Sequence, residues 1–144
     1  MVAETVMGFD FGRRRIGIAV GETLTGSARP LTTLRVSARG VPPWDELEAL
    51  VATWRPARLV VGLPCHLDGR EAPLAGAARE FAEQLGRRTN CRASLWNEAL
   101  STEAARASLA DGRAAGMRRT DRDQLNAGAA REILSGWLAE PEHE

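Results

Sequence analysis

The stretch Met7-Gly8-Phe9-Asp10-Phe11-Gly12-Arg13-Arg14-Arg15-Ile16-Gly17-Ile18-Ala19-Val20 decides how this chain is read. Two short apolar runs with period-two alternation flank a glycine and three arginines, which predicts a β-hairpin with the turn at Gly12 to Arg15. Asp10 stands at the end of the first run, so its carboxylate is held on a strand, inside a sheet. Gly12 beside it would let a phosphate or a metal approach the backbone. A carboxylate in that position is costly to bury without a cation. The plainer reading is a hairpin tip whose aspartate serves turn amides, and the rest of the chain bears on the choice.

Outward from the hairpin, a third strand fits Arg29 to Val36, opened by Pro30. A helix from about Pro42 places Trp44, Leu47, Leu50, Val51 and Trp54 on one face, with prolines tolerated in its first turn and Pro56 ending it. Arg58 to Val61 is a short apolar run leading into Gly62-Leu63-Pro64, the pattern of a central strand buried on both faces. After a loop through Asp68-Gly69-Arg70, a helix covers roughly Pro73 to Arg88, and a fifth strand covers Arg92 to Trp96, ending at Asn97-Glu98. Ser101 is a good N-cap for a helix running to about Ala110. Residues 111–116 break the pattern, and a last helix spans about Asp121 to Leu138. The order β-β-β-α-β-α-β-α-α predicts an α/β fold: a mixed five-stranded sheet, its first three strands antiparallel, flanked by helices.

The chain has 144 residues, about the size of one domain; residues 1–139 are expected to form it, with 140–144 a fraying acidic tail. No apolar stretch approaches the roughly 18 residues that cross a bilayer, and no signal-peptide pattern opens the chain, so a cytoplasmic location and no membrane partner are expected. Cys65 and Cys91 fit no zinc spacing and make no disulfide framework. Formal net charge is zero, with 19 basic and 19 acidic residues. That argues against wholesale electrostatic capture of nucleic acid but leaves local patches open. Every basic residue is arginine, whose planar fork suits phosphate. Arg13, Arg14 and Arg15, with Arg118, Arg119 and Arg122, are the candidate backbone-binding groups, although a GC-rich genome would also enrich arginine. Aromatic residues are 5% and tyrosine is absent, so recognition by base stacking is not expected to dominate.

Two carboxylates stand at strand ends, Asp10 on the first strand and Glu98 after the fifth. If the first strand is central, crossovers bring both to the edge where ligand crevices form. Paired hard oxygens there suit Mg²⁺ or Mn²⁺ and the metal-assisted hydrolysis of phosphodiesters. The last helix would supply a third group. Thr120 and Asp123 have capping-box spacing, so Asp123 has a structural reading as well as a ligand reading. Asn126 is a poor mid-helix residue among Ala127, Gly128, Ala129 and Ala130, and its amide wants a partner.

These motifs resemble the YqgF family, bacterial pre-16S rRNA nucleases also described as Holliday-junction-resolvase-like proteins, which have an RNase H-like fold. The resemblance runs from about Val6 to Leu138. It rests on Asp10-Phe-Gly with Arg15-Ile-Gly-Ile-Ala-Val, on Val61-Gly-Leu-Pro with Asp68-Gly69, on Asn97-Glu98 followed by Ser101-Thr102, and on Ala129-Ala130 with Ile133-Leu134. It implies that Asp10 and Glu98 are catalytic metal ligands. It also implies a metal-dependent nuclease processing the 5′ end of pre-16S rRNA in ribosome biogenesis, acting as a monomer or homodimer. Where the family reads Asp-Glu-Arg this chain has Asn97-Glu98-Ala99, and Asn126 stands where the family has its helix aspartate. Asp123, one turn earlier, is the expected replacement in the catalytic and metal-binding set, with Asn126 the other candidate ligand. Two alternatives follow: a nucleic-acid-binding module with a weakened site, and a resolvase-like nuclease acting on branched DNA. An actin-like ATPase, which shares the Asp10-Phe-Gly12 phosphate-loop pattern, needs a second lobe that 144 residues cannot provide.

Overall fold

The computed structural model of the protein describes residues 4–64, 73–97 and 119–140, with side chains of the last segment described from Asp123 onward. Five strands form one sheet: β1 (Thr5–Phe11), β2 (Arg15–Glu22), β3 (Ala28–Arg35), β4 (Arg58–Leu63) and β5 (Ala93–Asn97). Among the described residues three helices cover it: α1 (Trp44–Trp54), α2 (Ala75–Thr89) and α3 (Arg119–Ala139). The strand order is β3-β2-β1-β4-β5, which puts β1 at the centre. β1 to β3 are antiparallel neighbours, whereas β4 runs parallel to β1 and β5 parallel to β4. This is the mixed sheet that the hairpin and the later crossovers predict. Pro30 sits in β3 at no cost to a central ladder because β3 is an edge strand, and the pairing slips beside it, between Ile18 and Ala19.

Alternation along β1 sends Met7 and Phe9 to one face, where they join Ile16, Ile18, Leu47, Leu59, Val61, Phe81 and Leu85 under α1 and α2. Val6 goes to the other face, with Ala19, Val60, Ala130, Ile133, Leu134 and Trp137 under α3. Helix α1 carries Asp45 and Glu46 in its first turn, which complements the helix dipole, and closes at Arg55 in the left-handed conformation before Pro56. Trp137 is buried and Trp44 and Trp54 are partly buried against the core, as their helical spacing predicts.

α3 lies close to the sheet because β1 and β2 present almost no side chain beneath it. A Cβ on Gly8 would lie 2.8 Å from the Leu134 Cβ, and one on Gly21 would lie 3.1 Å from the Leu134 Cδ2. A Cβ on Gly17 would collide with the backbone of Asn126 and Ala127. The helix backbone itself therefore rests on β2 at Gly17. The helix expected from Ser101, the break at 111–116, the loop through Asp68-Gly69 and the tail 141–144 lie outside the described residues.

Candidate active site

Asp10 is the buried charged residue among the described residues, 9% exposed, near the C-terminal end of the central strand. Its register partner across the antiparallel ladder is Gly17. Asp10 shares a face with Gly8 and Val6, the face that α3 covers. One step before Asp10, Phe9 pairs with Val61 of β4; one step further along β4, Gly62 pairs with Trp96, and Leu63 pairs with Asn97. The ends of β1, β4 and β5 thus share one sheet edge, as a central β1 requires. β5 stands two strand spacings, roughly 10 Å, from β1, and Asn97 closes it. Glu98, the next residue, lies outside the described residues, as do Cys65, His66, Ser101, Arg118 and His143.

Gly12 has a different duty from the one its neighbourhood suggests. Its N–H donates to the Arg15 carbonyl at 2.9 Å, and a Cβ there would lie 2.8 Å from that oxygen. Glycine is therefore required here for closing the hairpin, since a side chain would meet the turn backbone.

Asp123 and Asn126 sit on the same helix but meet different parts of the sheet. The Arg15 Nε donates to Asp123 Oδ1 at 3.0 Å, and Arg35 Nη2 approaches Oδ2 at 3.4 Å. Arg15 and Arg35 are register partners on β2 and β3. Two like charges directly opposite repel, and the carboxylate between them takes one guanidinium on each oxygen. Thr33, the partner of Gly17 on β3, donates its hydroxyl to the Asp123 carbonyl. Asn126 rests one turn further on, over Gly17 and hence beside the register position of Asp10. Arg119 and Arg122 fall in the first turn of α3 as described, with their side chains outside the described set.

Arg13 and Arg14 are exposed at the hairpin turn. With Arg15, Arg35 and Arg39 they line a groove of about 660 Å³ completed by Val36, Ser37, Ala38 and Gly40. Arg35 and Arg39 do not stand out in the sequence, because they are separate from any run of arginine and reach the hairpin only through the pairing of β3 with β2. The signal that could have found Arg35 is the antiparallel register, which sets it opposite Arg15.

Cys91 is a half-buried free thiol that donates to the Pro56 carbonyl at 3.3 Å. Burial pushes its pKa up, against smaller lowering contributions from the Arg92 backbone and the Arg58 charge. That is the behaviour of a packing cysteine rather than a nucleophile. Among the described residues no three His, Cys, Asp or Glu side chains gather as a metal site, and no helix is long and apolar enough to cross a membrane.

A five-stranded mixed sheet with a central acid-bearing strand and a helix laid across it places the chain in the α/β, RNase H-like fold class. The fold is that of RuvC of Thermus thermophilus, solved in complex with a Holliday junction substrate; it matches with a TM-score of 0.55 at 15% identity, over 94% of this chain and 93% of that one. A second structure of Thermus thermophilus RuvC matches with a TM-score of 0.52 at 16% identity, over 93% of each chain. The chain belongs to the RuvX family, described as Holliday junction resolvase, whose model matches residues 4–140. A Pectobacterium carotovorum protein named as a pre-16S rRNA nuclease is 41% identical over 96% of this chain and 97% of its own length. A protein of the same name from Sodalis glossinidius is 43% identical over 94% of each. The protein is accordingly a nuclease, an enzyme that hydrolyses phosphodiester bonds.

Proposed function

We propose that residues 1–139 form one metal-dependent nuclease domain that processes the 5′ end of pre-16S rRNA in the cytoplasm, with its site on the α3 face of the sheet at the end of β1. The observation that carries this reading is the buried Asp10 carboxylate at a strand end, facing a helix whose backbone is in contact with the adjacent strand. The donors this reading calls for are hard oxygens: the Asp10 carboxylate, a third group from α3 and, as the family resemblance implies, the Glu98 carboxylate. Such a set suits Mg²⁺ or Mn²⁺.

Of the two candidates on α3, Asn126 is favoured as the third donor. Asp123 already shares its carboxylate between two guanidiniums on the β2–β3 side, whereas Asn126 rests on the strand residue that pairs with Asp10. Asp123 then acts as a positioning residue: the Arg15 and Arg35 pairs and the Thr33 hydroxyl hold the first turns of α3 down, and Asn126 with them. A divalent cation bound at this site would supply positive charge to the phosphate and lower the pKa of an attacking water. Arg13, Arg14, Arg15, Arg118, Arg119 and Arg122 hold the neighbouring phosphates and orient the strand.

Branched DNA is the second reading, favoured by the structural likeness to a protein solved with a Holliday junction. It requires a homodimer with paired sites, whereas RNA trimming is open to a monomer. The purified chain should be offered a 5′-extended 16S precursor RNA and a four-way DNA junction, each with Mg²⁺, Mn²⁺ or a chelator. The proposal expects metal-dependent trimming of the RNA. Symmetric nicking of the junction with no effect on the RNA would replace it with the second reading, and no cleavage of either substrate under any metal would remove both.

A further inference from the structure

The groove between the β1–β2 hairpin and the loop that follows β3 holds more charge than the ion pairs around it use. Five arginines, Arg13, Arg14, Arg15, Arg35 and Arg39, line it with no acidic residue among the lining groups. Asp123 neutralises part of the charge of Arg15 and Arg35. Arg13, Arg14 and Arg39 are exposed and make no ion pair with any described residue. In a chain of zero net charge, this is a strongly polarised patch.

Both walls of the groove are fixed by backbone hydrogen bonds. On the hairpin side, Gly12 N–H donates to the Arg15 carbonyl, and Val36 N–H donates to the Arg14 carbonyl at 2.9 Å, tying the loop to the turn. On the loop side, Gly40 N–H donates to the Ser37 carbonyl, Ser37 N–H donates to the Val41 carbonyl, and Val41 N–H donates to the Ser37 Oγ. Gly40 closes this turn with φ +80°, a conformation that a side chain would strain. Arg39 is therefore carried on a pre-shaped turn facing Arg13 and Arg14, and less freedom is lost when a ligand is gripped.

We propose that this groove is a subsite for the phosphodiester backbone of the strand flanking the scissile phosphate, with Arg14 and Arg39 gripping it from opposite walls. The inference rests on the nuclease reading and extends it past the hairpin. Guanidinium forks match phosphate oxygens in geometry as well as charge. The lining offers no aromatic ring for stacking and no Asn, Gln or acidic group, and guanidiniums engaged on phosphate oxygens carry no base information, so the grip is expected to be indifferent to sequence. Arg13 follows Asp10 by three residues, about 10 Å of extended chain, so the groove begins close to the cleavage point.

The test is binding of the full-length chain to a fluorescent 20-nucleotide RNA and to a 20-base-pair DNA duplex, titrated across salt concentration in a chelator, so that the readout is independent of cleavage. Arg14→Gln and Arg39→Gln should each reduce the slope of log affinity against log salt by about 0.7 on the single strand and about 0.9 on the duplex. The same shift is expected for probes of different base sequence. Gly40→Val, which changes no charge, should also weaken binding. Arg87→Gln, at an exposed helix position paired with Glu83, should behave as wild type. A slope for Arg39→Gln equal to that of Arg87→Gln overturns the proposal, as does an effect confined to one base sequence. A chain that binds with these slopes yet cleaves nothing under any metal would count against the nuclease reading and leave the subsite standing.

Discussion

Under α1 and α2 the sheet meets its helices through large rings: Phe81 stacks on Phe11 with centroids 4.8 Å apart and on Trp44 at 5.6 Å, with Phe9 edge-on at 6.2 Å. Under α3 the strands offer Gly8, Gly17, Ala19 and Gly21, and the helix backbone comes down to the ladder. The first arrangement maximises buried apolar surface and contributes stability. The second gives up side-chain burial to fix a helix at a short distance from the one buried carboxylate among the described residues. The face that sacrifices packing is the face on which the proposed site lies.

That contrast breaks if the two faces respond alike to damage. Leu85→Ala, on the ring-packed face, should cost about 2–5 kcal/mol of stability while molecules that remain folded cleave at the normal rate. Gly17→Ala forces a methyl into the backbone of Asn126 and Ala127, with a stability cost of about 3 kcal/mol or more. It should also depress cleavage at least tenfold in the folded protein, because α3 is displaced from Asp10. Denaturant melts paired with single-turnover rates at matched folded fraction check both, and equal rates for the two variants would erase the distinction.

Within the α3 face, Asp123→Ala sharpens the assignment of roles. It leaves Arg15 and Arg35 opposed without their shared anion, which should cost about 1–3 kcal/mol. A positioning role predicts a modest loss of rate, partly restored by Asp123→Glu, with metal affinity little changed. A loss of metal binding measured by titration calorimetry would return the ligand role to Asp123. The smallest effect lies on the other face. The raised pKa of Cys91 means that its contribution to stability is fully present below pH 9.0, the thiol's ordinary value, and is lost as pH rises through the raised folded-state value. With no lysine or tyrosine in the chain, few other side chains titrate there. Cys91→Ser should flatten the alkaline slope of the melting temperature, and an unchanged slope would assign it to other groups.

The strands and their mixed antiparallel and parallel arrangement were legible because alternation, turn residues and crossover length are local properties of the sequence, whereas the central place of β1 entered only as a condition and is set by the strand order. The helices α1, α2 and α3 fall within a few residues of their expected spans for the same reason. The partners of Asp123 were not legible. Asp123 and Asn126 are three positions apart on one helix, and spacing alone cannot say that Asp123 turns toward the β2–β3 arginines. That choice depends on where the helix lies on the sheet, which Gly17 sets and which only the register of β1, β2 and β3 reveals. Arg39 was hidden similarly, since it meets Arg13 and Arg14 through strand pairing.

The most direct test of the account is Asp10→Asn, which removes a charge at constant volume. Its melting temperature and its rate on the 5′-extended 16S precursor should be measured together. A protein that melts near wild type and cleaves with a rate reduced by orders of magnitude is the predicted result. A folded Asp10→Asn protein that cleaves at the wild-type rate would contradict it and move the chemistry away from the end of β1.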